Sequence, residues 1–165
     1  MGQSLPAVAA AVIAVAGLAG LIRGAVPQAA GGAGRTSGEP IVVSGAYVRE
    51  PASPDVAAAY FTVYNTTGSD DTLTSVITGA GRDAALHAES NGAMSVTPGG
   101  LRIPAHSSVT LSPGKGHVMI ERLLGSLEPG QIVDLELRFA AAGPIVVQAP
   151  VIAINAPAPT AAATK

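Results

Sequence analysis

The chain has 165 residues, a length that fits one folded domain with appended segments. Its formal charge is −2, and residues 41–155 hold more acidic than basic side chains, which argues against the basic surface that nucleic-acid binding needs. Cysteine is absent, so we expect no disulfide, no thiolate metal site, no catalytic thiol and no lipid anchor on an N-terminal cysteine. Tryptophan is absent and aromatic residues are scarce, so the core must be built from small aliphatic side chains.

An uncharged apolar run, LPAVAAAVIAVAGLAGLI at residues 5–22, opens the chain. Its length lies at the lower edge of what spans a bilayer and above the core of a typical signal peptide. No lysine or arginine precedes the run, Arg23 follows it, and no small-x-small cleavage motif stands out. We therefore predict an apolar helix in residues 1–26, either a signal peptide or a membrane anchor. Arg23 after the run gives little support to export of an anchored domain, so the expected location outside the cytoplasm rests on the residues that follow.

Composition divides the rest of the chain into three parts. Residues 27–40, PQAAGGAGRTSGEP, have no hydrophobic periodicity and predict a flexible linker. Residues 156–165, APAPTAAATK, have little to bury and predict a disordered tail. The folded domain is therefore predicted at residues 41–155.

The domain reads as a series of short β segments separated by turn sequences such as PGG, PGKG and EPG. In QIVDLELRF, residues 131–139, Val133, Leu135, Leu137 and Phe139 share one face, as in a half-buried antiparallel strand. No long amphipathic helix pattern appears. The pattern predicts an all-β, Greek-key β-sandwich. The predicted strands are residues 41–48, 57–64, 72–77, 84–89, 101–103, 107–111, 117–123, 131–139 and 145–154.

Candidate metal ligands are concentrated in one fifth of the chain. All three histidines (His87, His106 and His117) lie there, together with Met94 and Met119, the two methionines other than Met1. Imidazole and thioether together are the ligand mix that suits copper, whereas hard cations prefer oxygen and Zn(II) is poorly served by thioether. The region therefore predicts a copper site.

The spacing of these residues ranks them. His117 and Met119 are two residues apart in a predicted strand, so their side chains point to the same face, with Val118 and Ile120 toward the core. His87 and Met94 would have to come from a neighbouring strand and the loop after it. Two nitrogens and two neutral sulfurs suit Cu(I).

Two features limit what this ligand set could do. Without cysteine, a thiolate-based electron-transfer centre cannot form, which favours storage, delivery or capture of copper. His106 lies in a predicted turn, PAHSS, where we expect it to be exposed and not a ligand.

Two other classes of function stay open at this point. A membrane-tethered structural or adhesive β-sandwich would bind no metal and would bury its methionines in the core. A copper-dependent redox enzyme would need a substrate pocket, and the aromatic residues that could line one are few. We therefore predict a binding protein and not an enzyme.

The sequence resembles the periplasmic copper chaperones termed PCuAC. Their signature is a His, a Met about ten residues later, a gap of about twenty residues and then His-x-Met, which correspond here to His87, Met94, His117 and Met119. Other similar stretches are AYVREP at 46–51, AAAYFTVYNTTGSDDTL at 57–73, GGLRIPAHSSVTLSPGKGHVMIERL at 99–123 and LEPGQIVDLELRF at 127–139. The resemblance covers roughly residues 41–151.

This resemblance implies a cupredoxin-like or immunoglobulin-like sandwich that delivers Cu(I) to a partner. The partner would be a copper-accepting protein, such as cytochrome c oxidase subunit II with its CuA centre or another copper chaperone. Two departures from the family pattern concern the segment that carries Met94. The interval from His87 to Met94 is shorter, and Ala88 stands where many members have Met or Glu. The loop predicted to hold Met94 must therefore be trimmed.

Overall fold

The computed structural model of the chain describes residues 40–90 and 92–159. Within these ranges the chain is folded into β-strands without a helix, which confirms the all-β prediction. In chain order the strands are β1 (Ile41–Ser53), β2 (Val56–Asn65), β3 (Asp71–Thr78), β4 (Gly81–Ser90), β5 (Ala93–Val96), β6 (Leu101–Ile103), β7 (Ser108–Leu111), β8 (Gly116–Leu123), β9 (Ile132–Phe139) and β10 (Gly143–Ile152).

Several predictions fall on residues beyond these ranges. The apolar helix expected in residues 1–26, nearly all of the linker at 27–40 and the last six residues of the tail lie outside the described residues. In the part of the chain that is described, no helix is long and apolar enough to cross a bilayer.

The strands form two antiparallel sheets joined along one side. The first sheet has the order β5-β4-β8-β2-β1, and β7 also pairs with β2. The second has the order β10-β9-β3-β6. A short parallel pairing of β1 with β10, at Val48–Val151 and Arg49–Ile152, connects the two. Neighbours such as β4 and β8 are distant in sequence, so this pairing order cannot be read from local patterns.

The core lies between the sheets and consists mainly of aliphatic side chains. The face of β9 predicted to be buried is buried, and Val118 and Ile120 of β8 point inward as expected. Ala57, Ala59 and Phe61 alternate along β2 and are all buried in this core. The most deeply buried large side chains are Ile41, Val48, Phe61, Val63, Leu73, Ile103, Val118, Ile120, Leu135, Leu137 and Val151.

Buried polar side chains fix the turns at the ends of the strands. The carboxylate of Asp71 accepts hydrogen bonds from the backbone N–H groups of Ala141 and Ala142 at 2.9 and 3.0 Å, which ties β3 to the β9–β10 turn. The amide of Asn65 donates to the carbonyls of Ser69 and Ile103 at 2.8 and 3.1 Å. Asp71 and Asn65 therefore satisfy main-chain groups that the sheets leave unpaired.

The structure differs from the sequence prediction at one strand. Ten strands are present instead of nine, because residues 93–96 form β5 against β4 where a loop was predicted. The hairpin between them is tightened by Glu89, whose Oε1 accepts a hydrogen bond from the N–H of Gly92 at 2.9 Å. Gly92 also has a positive φ of 79°, which glycine adopts without the strain that a Cβ would cause.

Candidate metal centre

The candidate site is built on the pairing of β4 with β8. His87 lies directly opposite His117 in this antiparallel pair. The two imidazole rings stack with their centroids 5.1 Å apart and their planes 15° from parallel. Both rings are on the outer face of the first sheet, because Leu86 and Val118, their chain neighbours, are buried in the core.

Met119 lies on the same face, two residues beyond His117. Its cross-strand neighbours are Ala85 on β4 and Ala58 on β2. Both neighbours are small, so the thioether is flanked by methyl groups and not by bulky side chains. His117 and Met119 also line a cavity of about 220 Å³, with Tyr60 and Val56 among the other lining residues. The predicted His-x-Met pair therefore faces open space beside the sheet.

Met94 reaches this face from β5. It lies opposite Glu89, which is two residues from His87 on the same side of β4. The Cα of Met94 is therefore a diagonal neighbour of the His87 Cα, at roughly 7–8 Å. Met94 is 39% exposed. The trimmed interval from His87 is thus a tight hairpin, and a strand places Met94 where a loop was predicted.

A row of aromatic rings continues from the histidines across the sheet. The ring of Tyr60 on β2 lies 6.3 Å from that of His117, tilted by 55°, and Tyr47 on β1 stacks on Tyr60 at 5.1 Å. A one-residue bulge in β1, with Gly45 at φ 61°, places Tyr47 instead of Ala46 opposite Tyr60. The sequence analysis assigned neither tyrosine to the site. Alternation along β2 places Ala58 and Tyr60 on one face, but only the pairing of β2 with β8 shows which face.

Burial lowers the pKa of His117, and the neighbouring His87 lowers it further. Burial also raises the pKa of Tyr60, with Tyr47 adding to the rise and Arg49 opposing it. The lowered pKa widens the pH range over which the imidazole of His117 is neutral, and the neutral form is the one that binds a metal ion. The hydroxyl of Tyr60 stays protonated.

The candidate ligands are two imidazoles and two thioethers. Among the described residues no three His, Cys, Asp or Glu side chains are grouped so that they could hold a metal ion. Soft, low-coordinate ions are the ones that neutral sulfur and nitrogen ligands suit.

The remaining histidine is separate from this cluster. His106 is exposed, as predicted, in the connection between β6 and β7, where it adopts a positive φ of 50°. Its N–H donates to the carbonyl of Thr67 at 3.0 Å, so its backbone contributes to the turn that follows β2. His87, Met94, His117 and Met119 share one face of the first sheet. A purely structural role predicts that both methionines are buried in the core. Neither Met94 nor Met119 is buried there.

Arg49 and Glu50 both bind the segment that follows β10. Arg49 donates to the carbonyls of Ile154 and Ala156, and Glu50 accepts a hydrogen bond from the N–H of Ile154 at 3.2 Å. The two side chains therefore reach the same segment, and Arg49 also lies 5.9 Å from the centre of the Tyr47 ring.

Comparison with known protein families matches residues 41–151 to the family described as "Putative lipoprotein LpqE-like". The chain belongs to the LpqE-like family. A relative described as "Putative lipoprotein Lxx21020", from Leifsonia xyli subsp. xyli, is 39% identical over 108 residues. That match covers 61% of this chain and 62% of the relative, so it spans less than two thirds of the relative's length.

Solved structures similar to this LpqE-like chain are PCuAC domains. The copper-bound PCuAC domain from PmoF2 has a TM-score of 0.61 and 25% identity, covering 69% of this chain and 93% of that one. The apo PCuAC domain from PmoF1 has a TM-score of 0.62 and 25% identity, with 69% and 94% covered. The Cu(I) form of DR1885 from Deinococcus radiodurans has a TM-score of 0.58 and 28% identity, with 68% and 78% covered. The predicted relationship to PCuAC domains is confirmed at the level of the fold family.

Proposed function

We propose that this protein is an extracytoplasmic copper chaperone, and not an enzyme, that binds Cu(I) through His87, Met94, His117 and Met119 and delivers it to a partner protein. The observation that carries the proposal is the stacked His87–His117 pair on an open sheet face, with Met119 beside it. The similarity to a copper-bound PCuAC domain and to a Cu(I)-bound relative supports copper as the cargo.

The uncharged forms of the candidate ligand types suit a monovalent cation. Neutral imidazoles and thioethers can surround a monovalent soft cation with only one net charge in the site. Thioethers need no deprotonation, so the sulfur ligands stay available at any pH, while the imidazoles bind only when neutral. The lowered pKa of His117 keeps that ligand neutral over a wider pH range.

Delivery requires a site that a partner's ligands can enter before the donor's ligands leave. Met94 is 39% exposed and His87, His117 and Met119 are only partly buried, so a second protein can approach the ion directly. A buried, fully enclosed site would instead favour retention of the metal. We infer that copper leaves by stepwise ligand exchange on this face.

The cell envelope is the proposed location, and the apolar residues 5–22 are the proposed signal or membrane anchor. The lipoprotein descriptions of the family and of its Leifsonia member support a location outside the cytoplasm. The proposed recipient is a copper-accepting protein such as cytochrome c oxidase subunit II or another chaperone. Residues 41–155 would form the copper-binding domain, with the linker and tail flanking it.

The test is a Cu(I) titration of the full chain against a competing chelator such as bicinchoninate. We expect one tightly bound Cu(I) per chain. The double substitution His117→Ala with Met119→Ala removes one ligand of each kind from the same strand. It should lower the affinity by more than about 100-fold, because loss of even an outer-sphere partner of a ligand costs 10- to 100-fold.

The control is His106→Ala, which removes an exposed histidine from a turn that is not part of the cluster. This variant should bind Cu(I) like the unaltered chain. Unchanged affinity in the double variant would refute the proposal, and so would an equal loss in the control.

A further inference from the structure

Strand β5 is an edge strand of the first sheet. The side of β5 that faces away from β4 has main-chain N–H and C=O groups without a strand partner in the described part of the chain. Strand β5 stands first in the order β5-β4-β8-β2-β1, and no other strand among residues 40–90 and 92–159 pairs with that side. The N–H of Thr97 donates to the carbonyl of Leu86 at 2.9 Å, which sets the phase of the pairing with β4. In an antiparallel pair the main-chain groups alternate in direction. Those of Ala93 and Ser95 therefore point to β4, and those of Met94 and Val96 point outward.

In the part of the chain that the structure describes, this edge lacks the features that usually prevent strand pairing. Proteins protect open edges with charged side chains, with prolines in the strand or with a covering segment. The residues of β5 are Ala, Met, Ser and Val, all exposed, and Val96 is 53% exposed. The edge is therefore open to an added strand.

Two side chains of this edge, those of Met94 and Val96, lie on the same face as the candidate copper ligands. Val96 is directly opposite His87, and Met94 is opposite Glu89 on the same side of β4. A strand added to β5 would place one residue directly opposite Met94. Its Cβ would lie about 4.5–5.5 Å from the Met94 Cβ, on the face where copper is proposed to bind.

We propose that β5 is the docking edge for the protein that exchanges copper with this chain. The partner contributes an extended segment with a thioether or imidazole side chain opposite Met94, and the ion passes across this new strand pair. This inference rests on the proposed function. The docking is a form of β-strand addition, in which main-chain hydrogen bonds give affinity and side chains give specificity.

The length of the edge argues for a transient partner instead of a permanent second copy. Only four outward groups are available, the N–H and C=O of Met94 and of Val96. Each such hydrogen bond contributes modestly to affinity, so the complex forms and separates readily. A chaperone that must release its partner after delivery needs this behaviour.

The probe is a synthetic extended peptide, Ac-Lys-Thr-Val-Met-Val-Thr-Lys-NH2, added to the copper-free, ¹⁵N-labelled full chain. We expect saturable NMR shifts at the amides of Met94 and Val96, whose N–H groups gain acceptors. The amides of Ser95 and Thr97 already bond toward β4 and should shift less. A peptide of the same sequence with an N-methyl group on every residue has no internal main-chain donor on either edge and should not bind.

A protein variant tests the same edge. Val96→Pro removes one outward N–H and leaves the bonds to β4 intact, because proline is tolerated on the free side of an edge strand. It should weaken peptide binding, and slow Cu(I) transfer to the peptide, by about tenfold. Val96→Ala keeps the N–H and is the matched control. Both variants should match the unaltered chain in Cu(I) affinity against the chelator.

Several results would overturn the inference. These are equal binding of the N-methylated peptide, equal transfer rates in the proline and alanine variants, and shifts spread evenly over the first sheet. Concentration-dependent shifts of residues 93–97 without peptide would identify a second copy as the occupant.

The two proposals fail separately. Tight Cu(I) binding without peptide binding refutes only the docking edge. Peptide binding at β5 by a chain that does not bind Cu(I) refutes the copper hand-over and the proposed function together.

Discussion

His117 is the most restrained side chain of the candidate site. Its ring is stacked on His87 at 5.1 Å on one side and lies 6.3 Å from Tyr60 on the other. The backbone beneath it is fixed by the buried Val118. A ligand whose rotamer is already limited loses little entropy when it binds an ion, so this packing favours affinity.

Cu(I) binding should weaken on acidification because protons compete for the imidazoles. The pKa of His117 lies below its ordinary value of 6.5 for reasons of burial and the proximity of His87. We therefore expect a nearly constant contribution from His117 above pH 6.5 and a decline as pH falls through the lowered pKa. The decline reaches up to about tenfold in affinity per pH unit for each histidine. Chelator competition between pH 5 and 8 measures it.

The variant His117→Met provides the comparison, because a thioether does not titrate. Its Cu(I) affinity should show a shallower pH dependence than that of the unaltered chain, and an equal slope in both would contradict the assignment of His117 as a ligand.

The lowered pKa of His117 also affects the stability of the copper-free fold. The pKa of His117 is lower in the folded chain than in the unfolded chain. His117 therefore contributes to the free energy of unfolding above pH 6.5, and this contribution is lost as pH falls through the folded-state pKa.

The sequence was sufficient to predict His117 and Met119 as neighbours, because period-two alternation follows directly from strand geometry. It was not sufficient for Tyr47, whose position depends on the bulge at Gly45. A bulge changes the register by one residue, and nothing in the alternation of IVVSGAYV marks where that change occurs. The contact of Tyr60 with His117 likewise depends on the pairing of β2 with β8, which joins distant parts of the chain.

At the scale of elements, the β4–β8 pair depends on Gly116, the first residue of β8. A Cβ on Gly116 would lie 2.9 Å from the carbonyl oxygen of His87 and 2.8 Å from Cδ2 of Leu111. Ordinary Cβ contacts are longer than this, and the carbonyl belongs to a fixed strand. The close approach of β8 to β4 beside the two histidines therefore requires glycine at this position.

Gly116→Ala should separate the strands locally and disturb the His87–His117 stack. We expect a loss of about 1–3 kcal/mol in the free energy of unfolding, as is usual for overpacking, together with weaker Cu(I) binding. Chemical denaturation and chelator competition measure the two effects. Gly125→Ala is the control, since a Cβ there meets no atom within 4 Å. Equal stability of the two variants would show that the strands adjust without cost.

The element that the sequence analysis missed is β5, and the reason is physical. Its residues lie in NGAMSVTPGG, where Gly92, Pro98, Gly99 and Gly100 give a strong turn signal over a short stretch. The strand is four residues long, and every one of them is exposed, so no buried face produces alternation. Its pairing with β4 is determined by the hairpin and not by hydrophobicity. The wrong assignment of Met94 to a loop follows from this.

At the scale of the whole molecule, the two sheets enclose one aliphatic core without a disulfide. The predicted all-β sandwich is confirmed, because turn residues and the alternation seen in several strands are local signals. The pairing order, in contrast, joins distant segments. The family match over residues 41–151 covers most of this folded region.

Copper should stabilise the folded domain, because an ion that binds only the native site shifts the unfolding equilibrium. At a free Cu(I) concentration 100 times the dissociation constant the gain is about 2.7 kcal/mol. For a domain of this size the melting temperature should rise by about 10 °C. Thermal unfolding of the full chain, with and without Cu(I) under reducing conditions, measures the change. The double variant of His117 and Met119 should show no rise, and a rise equal to that of the unaltered chain would place the ion elsewhere.

The pairing of β4 with β8 has a consequence for folding. His87 and His117 are thirty positions apart in the chain, and they meet only when a non-local strand pair has formed. Such pairings form slowly, because the entropy of closing the intervening chain is lost before their contacts contribute. An incompletely folded chain therefore offers copper only isolated His or Met side chains. The proposed four-ligand site arises with the completed sheet, so we expect high-affinity loading to follow folding of the domain.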